Sequence, residues 1–258
     1  ASILTGGSNK ISGSGFNGAI YSSIVNGSGN HISGSTYSFI GSGLNNKISG
    51  SSYGAILTGT FNTGSGARSI IIGGSRNSII AGDSGQHNLI GAGARNCING
   101  SFNAIVQGVD NTVSGSTSTI VGGCSNIISG NCSFIGGGTL NTASSSCNFI
   151  GGGGNNSIGL CRFGSVIVGG YNNNTTSGYY PGPNFHSTFL GGGFNNCISG
   201  YVGSFLGGGT NNTISAGFSN VIVKSEEHTS ELQSHSDLEC RLLLEKKQMV
   251  CKWSKVLS

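Results

Sequence analysis

Apolar residues recur along most of this chain in clusters of two or three, separated by runs of Gly, Ser and Asn, and the clusters alternate between two kinds. One reads S-F-I-G-G-G and the other N-x-I-S-G; the pair is clearest in residues 38–50 and 188–200. The second apolar residue of each first-kind cluster serves as a marker: Leu4, Val25, Ile40, Leu57, Ile72, Ile90, Val106, Val121, Ile135, Ile150, Val168, Leu190 and Leu206, mostly 14 to 18 residues apart. Ile222 opens a further copy. At about 3.3 Å per extended residue, a unit of that length holds two short strands and two tight turns. Each repeat therefore predicts one coil of an all-β, parallel β-solenoid (a β-roll). About thirteen coils, stacked about 4.8 Å apart, make a rod on the order of 60 Å long.

The two strands of a coil differ. The N-x-I-S-G strand carries one apolar column (Ile11, Ile32, Ile48, Ile79, Ile98, Val113, Ile128, Ile158, Ile198 and Ile214) flanked by polar residues, which predicts one inward and one solvated face. The other strand carries two adjacent columns: Phe39 with Ile40, Ile71 with Ile72, Phe134 with Ile135, Phe149 with Ile150, Phe189 with Leu190 and Phe205 with Leu206. Neighbouring strand residues point to opposite faces, so one column fills the interior and the other runs along the outside. The alternative is a wider, flattened core that takes both columns through a bulge. An outer stripe of about a dozen large side chains, each about 1.5–3 kcal/mol when buried, predicts lengthwise self-association.

Composition narrows the class. With 49 glycines and 8% charged residues, an ordinary mixed globular domain is disfavoured. Only two prolines and no Gly-X-Y period exclude collagen, and the regular Ile, Val, Leu and Phe argue against disorder. Lys10, Lys47, Arg68, Arg76, Arg95 and Arg162 are scattered, which argues against nucleic acid as a partner. No run approaches the roughly 20 apolar residues of a membrane-spanning helix, so no membrane segment is expected. The chain starts in mid-pattern at Ala1 and its one methionine is Met249, so we expect a fragment whose N-terminus, with any targeting signal, is missing.

Two domains of unlike origin are expected, 1–223 as the repeat domain and 224–258 as a non-native tail. Twelve of the twenty charged residues fall in the tail. Ser225 to Ser234 and Asp237 to Lys247 resemble the translation of a common sequencing adapter, with Lys224 and Glu239 departing from it. The tail would otherwise read as an amphipathic, trimerising helix.

On the S-F-I-G-G-G and N-x-I-S-G motifs, residues 1–223 resemble the head repeats of trimeric autotransporter adhesins and similar repeats of phage and large-virus fibres. The resemblance implies a left-handed β-roll, an intertwined homotrimer and an extracellular, cell-surface or virion-surface attachment role, with a host-surface glycan or protein as receptor. No anchor barrel or neck motif accompanies it. Six cysteines before the tail depart from the cysteine-poor bacterial pattern, leaving a viral or eukaryotic origin open.

Catalytic chemistry has little to work with. Solenoid enzymes that cleave polysaccharides need clustered carboxylates, and the repeat region has only Asp83 and Asp110, at different repeat positions. Asp83, Ser84 and His87 lack a nucleophile-elbow context. The glycine runs at 136–138, 151–153, 191–193 and 207–209 lack the Lys-Ser/Thr of a phosphate loop. There is neither C-x-x-C nor an Asp in each turn for calcium. We therefore expect no catalysis, cofactor or metal.

Some residues are candidates for ligand contact. Arg76 and Arg95 precede the Asn of consecutive repeats and should stack on one outer face, either as a solvated edge or as a contact for an anionic glycan or phosphate. Tyr179, Tyr180 and His186 lie in the longest coil, with Pro181 and Pro183, where a bulging loop could meet a receptor or be a tolerated insertion. Cys132 and Cys147 hold one register position in consecutive coils, so a disulfide between them is geometrically conceivable. Cys97, Cys124, Cys161 and Cys197 read as filler. The competing reading is a monomeric ligand-binding solenoid, for glycan or ice; its Thr112, Thr142 and Thr213 share a position that Lys, Cys, Ser and Ile interrupt elsewhere.

Overall fold

A computed structural model describes residues 1–13, 21–50, 52–80, 87–159, 163–176, 187–199, 203–215 and 219–223. Two parallel sheets account for all the strands among them. Sheet 1 has fourteen strands, from Ser2–Ile3 to Val221–Ile222, and sheet 2 has thirteen, from Lys10–Ser12 to Thr213–Ile214. Each strand pairs only with its counterparts in the preceding and following coils, and no helix occurs among the described residues. The chain is a parallel β-solenoid of thirteen coils. Residues 224–258 lie outside the described residues.

The strands are only two or three residues long, so the core is narrow. It consists of two facing columns, one per sheet. Ile120, Ile135 and Ile150 are successive rungs of the first, and Val113, Ile128 and Ala143 of the second. These side chains are fully buried. β-Branched Ile suits both the strand backbone and a slot that admits one side chain per strand. Gly64, Ala143 and Thr175 are small interruptions of the sheet 2 column. Thr175 places a hydroxyl in the core with no hydrogen-bond partner.

The register of sheet 1 corrects the marker column. Ile40, Ile90, Ile135, Ile150, Leu190 and Leu206 do point inward, but the inward residues of the other coils are Ile3, Ile24, Ile56, Ile71, Ile105, Ile120 and Ile167. Leu4, Val25, Leu57, Ile72, Val106, Val121 and Val168 come one residue later, on the outer face. The reason is period-two alternation around a single inward residue. A Phe or Leu before that residue, with Gly after it, puts the marker on it; Ser, Thr or Ala there, or three apolar residues in a row, pushes the marker one place too far.

The two halves of each coil obey different length rules. From the inward residue of sheet 1 to that of sheet 2 there are always eight positions, as from Ile40 to Ile48 or Leu206 to Ile214. The return half varies from seven positions, Ile98 to Ile105, to fifteen, Thr175 to Leu190. A buried asparagine ladder sets the constant half. Asn126 Nδ2 donates to Gly122 O (3.1 Å) in its own turn, to Gly138 O (3.0 Å) in the next coil and to Asn111 Oδ1 (3.1 Å) in the previous one. Its Oδ1 accepts the Asn141 backbone N–H at 3.0 Å. The same pattern recurs from Asn30 to Asn212. Glycine faces this ladder because Gly138 sits at φ 87° and a Cβ there would lie 1.9 Å from Gly153 O.

The ladder predicts that Asn126→Ala is costly for a residue that contributes no apolar area. It strands the Asn141 N–H and the buried Gly122 carbonyl, each worth about 1–3 kcal/mol when left unsatisfied in the interior, while the Gly138 carbonyl keeps the Cys124 N–H. Urea unfolding should show a loss of about 3 kcal/mol, with the Asn141 amide losing hydrogen-exchange protection. Conversely, Thr175→Val keeps the side-chain shape and removes an unpartnered hydroxyl, so the same assay should register a gain of about 1 kcal/mol.

Candidate functional site

Four long surfaces follow from this cross-section: the outer faces of the two sheets and the two corners between them. The outer face of sheet 1 carries an apolar side chain in every coil, because both residues flanking each inward Ile or Leu point out and at least one of the two is apolar. Phe39, Leu89, Phe134, Phe149, Phe189 and Phe205 precede it, and in those coils the residue after it is Gly. The ring then lies back over the glycine: ring carbons of Phe39, Phe134, Phe149 and Phe205 come within 3.3–3.5 Å of where a Cβ on Gly41, Gly136, Gly151 and Gly207 would sit. Where the preceding residue is small, Leu57, Val106 or Val121 fills the later position instead. The coils of Ile70–Ile72, Val166–Val168 and Val221–Val223 fill both positions, so every rung carries at least one large apolar side chain and the stripe is continuous. Phe134 stacks on Phe149 (5.3 Å between ring centres) and Phe189 on Phe205 (5.0 Å). Even so, Phe149 is 41% and Val168 47% exposed. The stripe that the paired columns predict is thus outside the core, and the flattened-core alternative is not what the chain adopts. Toward its C-terminal end a groove of about 250 Å³ opens beside Val166, Phe189 and Phe205, where Gly164 and Gly203 hold the corner.

Sheet 2 presents the opposite character. Its outer positions hold Thr112 with Ser114, Thr142 with Ser144, and Thr213 with Ser215, while the first three coils place Lys10, His31 and Lys47 on consecutive rungs beside Ser12, Ser33 and Ser49. Cys97 also belongs to this face; it is half-buried, and burial pushes its thiol up.

The corners are side-chain ladders on residues with positive φ. On one, Tyr21, Tyr37 and Tyr53 stack at 5.1 and 4.9 Å, Arg68 lies 5.9 Å from the Tyr53 ring, and His87 stacks on Phe102. Cys132 and Cys147 continue the ladder as free, exposed thiols. They occupy consecutive rungs, as their spacing implies, since the Cys147 N–H donates to Asn131 O at 2.8 Å. Desolvation pushes the Cys147 thiol up, and the neighbouring Cys132 adds to the shift.

The other corner carries Phe61, Arg76, Arg95 and Asp110 in order. Arg76 and Arg95 are consecutive rungs, as expected, but they do not form a matched pair of free cations. Arg76 sits over Phe61 at 5.7 Å, and Arg95 is engaged through two hydrogen bonds to Asp110, 2.6 and 2.7 Å. The guanidinium holds the Asp110 carboxyl below the usual carboxylate range. The pair is not evident from sequence, where the two charges stand apart, although their fifteen-residue separation equals one coil. Further along, Asn155, Asn172, Asn195 and Asn211 form an exposed amide ladder with contacts of 2.7–2.8 Å.

Tyr179, Tyr180, His186, Asp83, Ser84 and Cys161 lie outside the described residues. The coil that holds the two tyrosines is the longest, yet the inner ladder crosses it unbroken: Asn196 bonds to Asn173 Oδ1, 23 residues earlier. Its extra length belongs to the variable half of the coil. Among the described residues no group of His, Cys, Asp or Glu could hold a metal ion, and no helix is long and apolar enough to cross a membrane. No protein-family model matches the chain, and no curated protein matches it either.

The thiol pair predicts a measurable coupling. Carbamidomethylation of Cys147 by iodoacetamide at mildly alkaline pH should be faster in Cys132→Ala than in the parent, because removing Cys132 takes away the smaller of the two influences that hold the Cys147 thiol up, while desolvation remains. Peptide mass spectrometry over a time course reads the rate.

Proposed function

We propose that this rod is a structural, adhesive segment of a surface or virion fibre, lying outside the cell, which associates lengthwise as a homotrimer and contributes to attachment without performing chemistry. The continuous apolar stripe on sheet 1 carries this reading. It follows all thirteen coils, about 60 Å in length and about 10 Å in width, on the order of 600 Å² per chain. That approaches the roughly 800 Å² per partner of a standard specific interface. Large contiguous apolar patches of this kind mark surfaces that another chain covers. A second copy supplies a stripe of the same length and period, which no shorter or aperiodic partner could match along the rod. With sheet 1 turned to the shared axis, sheet 2 and the variable halves of the coils face outward, where attachment takes place.

The hydroxyl-rich outer face of sheet 2 favours a second reading, a monomeric solenoid that binds glycan or ice. Light scattering separates the two. For residues 1–223, which contain the twenty-seven strands found among the described residues, we expect three times the monomer mass, and Phe134→Asp with Phe149→Asp should reduce it to one. A stable parent monomer that shows thermal hysteresis or glycan binding would establish the second reading instead.

A further inference from the structure

The first three coils carry a charge arrangement that the rest of the rod lacks. Lys10, His31 and Lys47 are direct register partners on the outer face of sheet 2, so their Cα atoms stand about 4.8 Å apart from rung to rung. Both lysines are exposed. Asp110 is the only acidic residue among those described, and it is engaged with Arg95 on a corner of the rod. Nothing described therefore balances this column, whose two lysines stand two rungs, about 10 Å, apart with the His31 ring between them.

We propose that Lys10, His31 and Lys47, with Ser12, Ser33 and Ser49 alongside, form a binding site for a linear sulfated polysaccharide laid along the rod axis. Each rung offers one cationic or ionisable group and one hydroxyl, so an acidic group on successive sugars meets successive rungs while sugar hydroxyls meet the serines. A nucleic acid fits the surface less well. Single-strand binding uses aromatic faces as stacking platforms, and the nearby tyrosines are stacked on one another, with interplanar angles of 13° and 4°.

His31 gives the site a pH dependence. Its Nε2 lies 3.0 Å from Ser12 Oγ, and its pKa is lowered by desolvation and then by Lys10 and Lys47 on either side. The ring is therefore neutral at neutral pH. Protonation as the pH falls adds a third positive charge, which a bound anion stabilises. Affinity should consequently rise as pH falls through the His31 pKa.

This inference names a ligand for the attachment role proposed above and rests on that reading for its biological use, but the column lies on the sheet opposite the apolar stripe. Calorimetry of the full chain with a sulfated glycosaminoglycan octasaccharide at low ionic strength tests it. Binding is expected with the sulfated sugar and not with its desulfated, N-acetylated counterpart. Lys10→Ala with Lys47→Ala should weaken it at least tenfold, Arg76→Ala should leave it unchanged, and affinity should rise several-fold from about pH 7.5 to about pH 5.5. His31→Gln should remove that rise. Unchanged affinity in the double variant overturns the proposal, as does equal binding of the desulfated sugar or tighter binding of a single-stranded oligonucleotide of equal charge. Light scattering on the same samples separates the two readings: a trimer that does not bind refutes the glycan site alone, and a monomer that binds refutes the trimer alone.

Discussion

The structure depends on one interaction, the asparagine side chain that bonds at once to its own turn, to the coil above and to the coil below. A solenoid whose strands are two or three residues long gains little from strand pairing within any one coil. Its turns must be held by something other than a wide core. Asn126 and its counterparts do this from inside the rod, where water does not compete for their bonds, and each fixes a turn and a coil spacing together. The eight-residue half-coil is a consequence of that geometry. So is the glycine opposite each asparagine, since a side chain there would meet the carbonyl to which the amide donates.

Because one half of every coil is held to constant length, variation is channelled into the other. The longest coil, between Thr175 and Leu190, adds its residues there and leaves the ladder intact. The outer surfaces then divide by chemistry. Sheet 1 is continuously greasy, sheet 2 carries hydroxyls and, in the first coils, cations, and the corners stack rings, thiols, guanidinium groups and amides in rungs. Side chains on consecutive coils meet their own kind at about the stacking distance of aromatic rings, which is why Tyr21, Tyr37 and Tyr53 stack without any designed pocket.

Much of this was legible in the sequence because the repeat is short and its apolar residues are few. The coil number, the inward column of sheet 2 from Ile11 to Ile214 and the existence of an outer stripe all follow from spacing and alternation. The register of sheet 1 did not follow, since Ser23-Ile24-Val25 and Phe39-Ile40-Gly41 present their apolar pair on opposite sides of the inward residue. Only pairing between coils shows which one is buried. The inward direction of the asparagines was equally hidden: a polar residue next to a glycine reads as a solvated turn until its partners in neighbouring coils are known. Arg95 with Asp110 shows the same limit, because a salt bridge between coils appears in sequence as two unrelated charges. The tyrosines at 179 and 180 belong to a half-coil whose length follows no rule, and no periodicity speaks for their placement.

The hydrogen bonds between coils run parallel to the rod, and this bears on how such a segment behaves under mechanical load. Tension along the axis is met by one coil's set of bonds at a time, so the end coil peels while the remainder holds. A coil of fifteen residues, such as that from Ile120 to Ile135, pays out about 50 Å of extended chain as it opens. That is about ten times the length it occupied in the rod. A rod built this way lengthens in discrete steps when pulled, and re-stacks each coil on the template left behind when the pull relaxes.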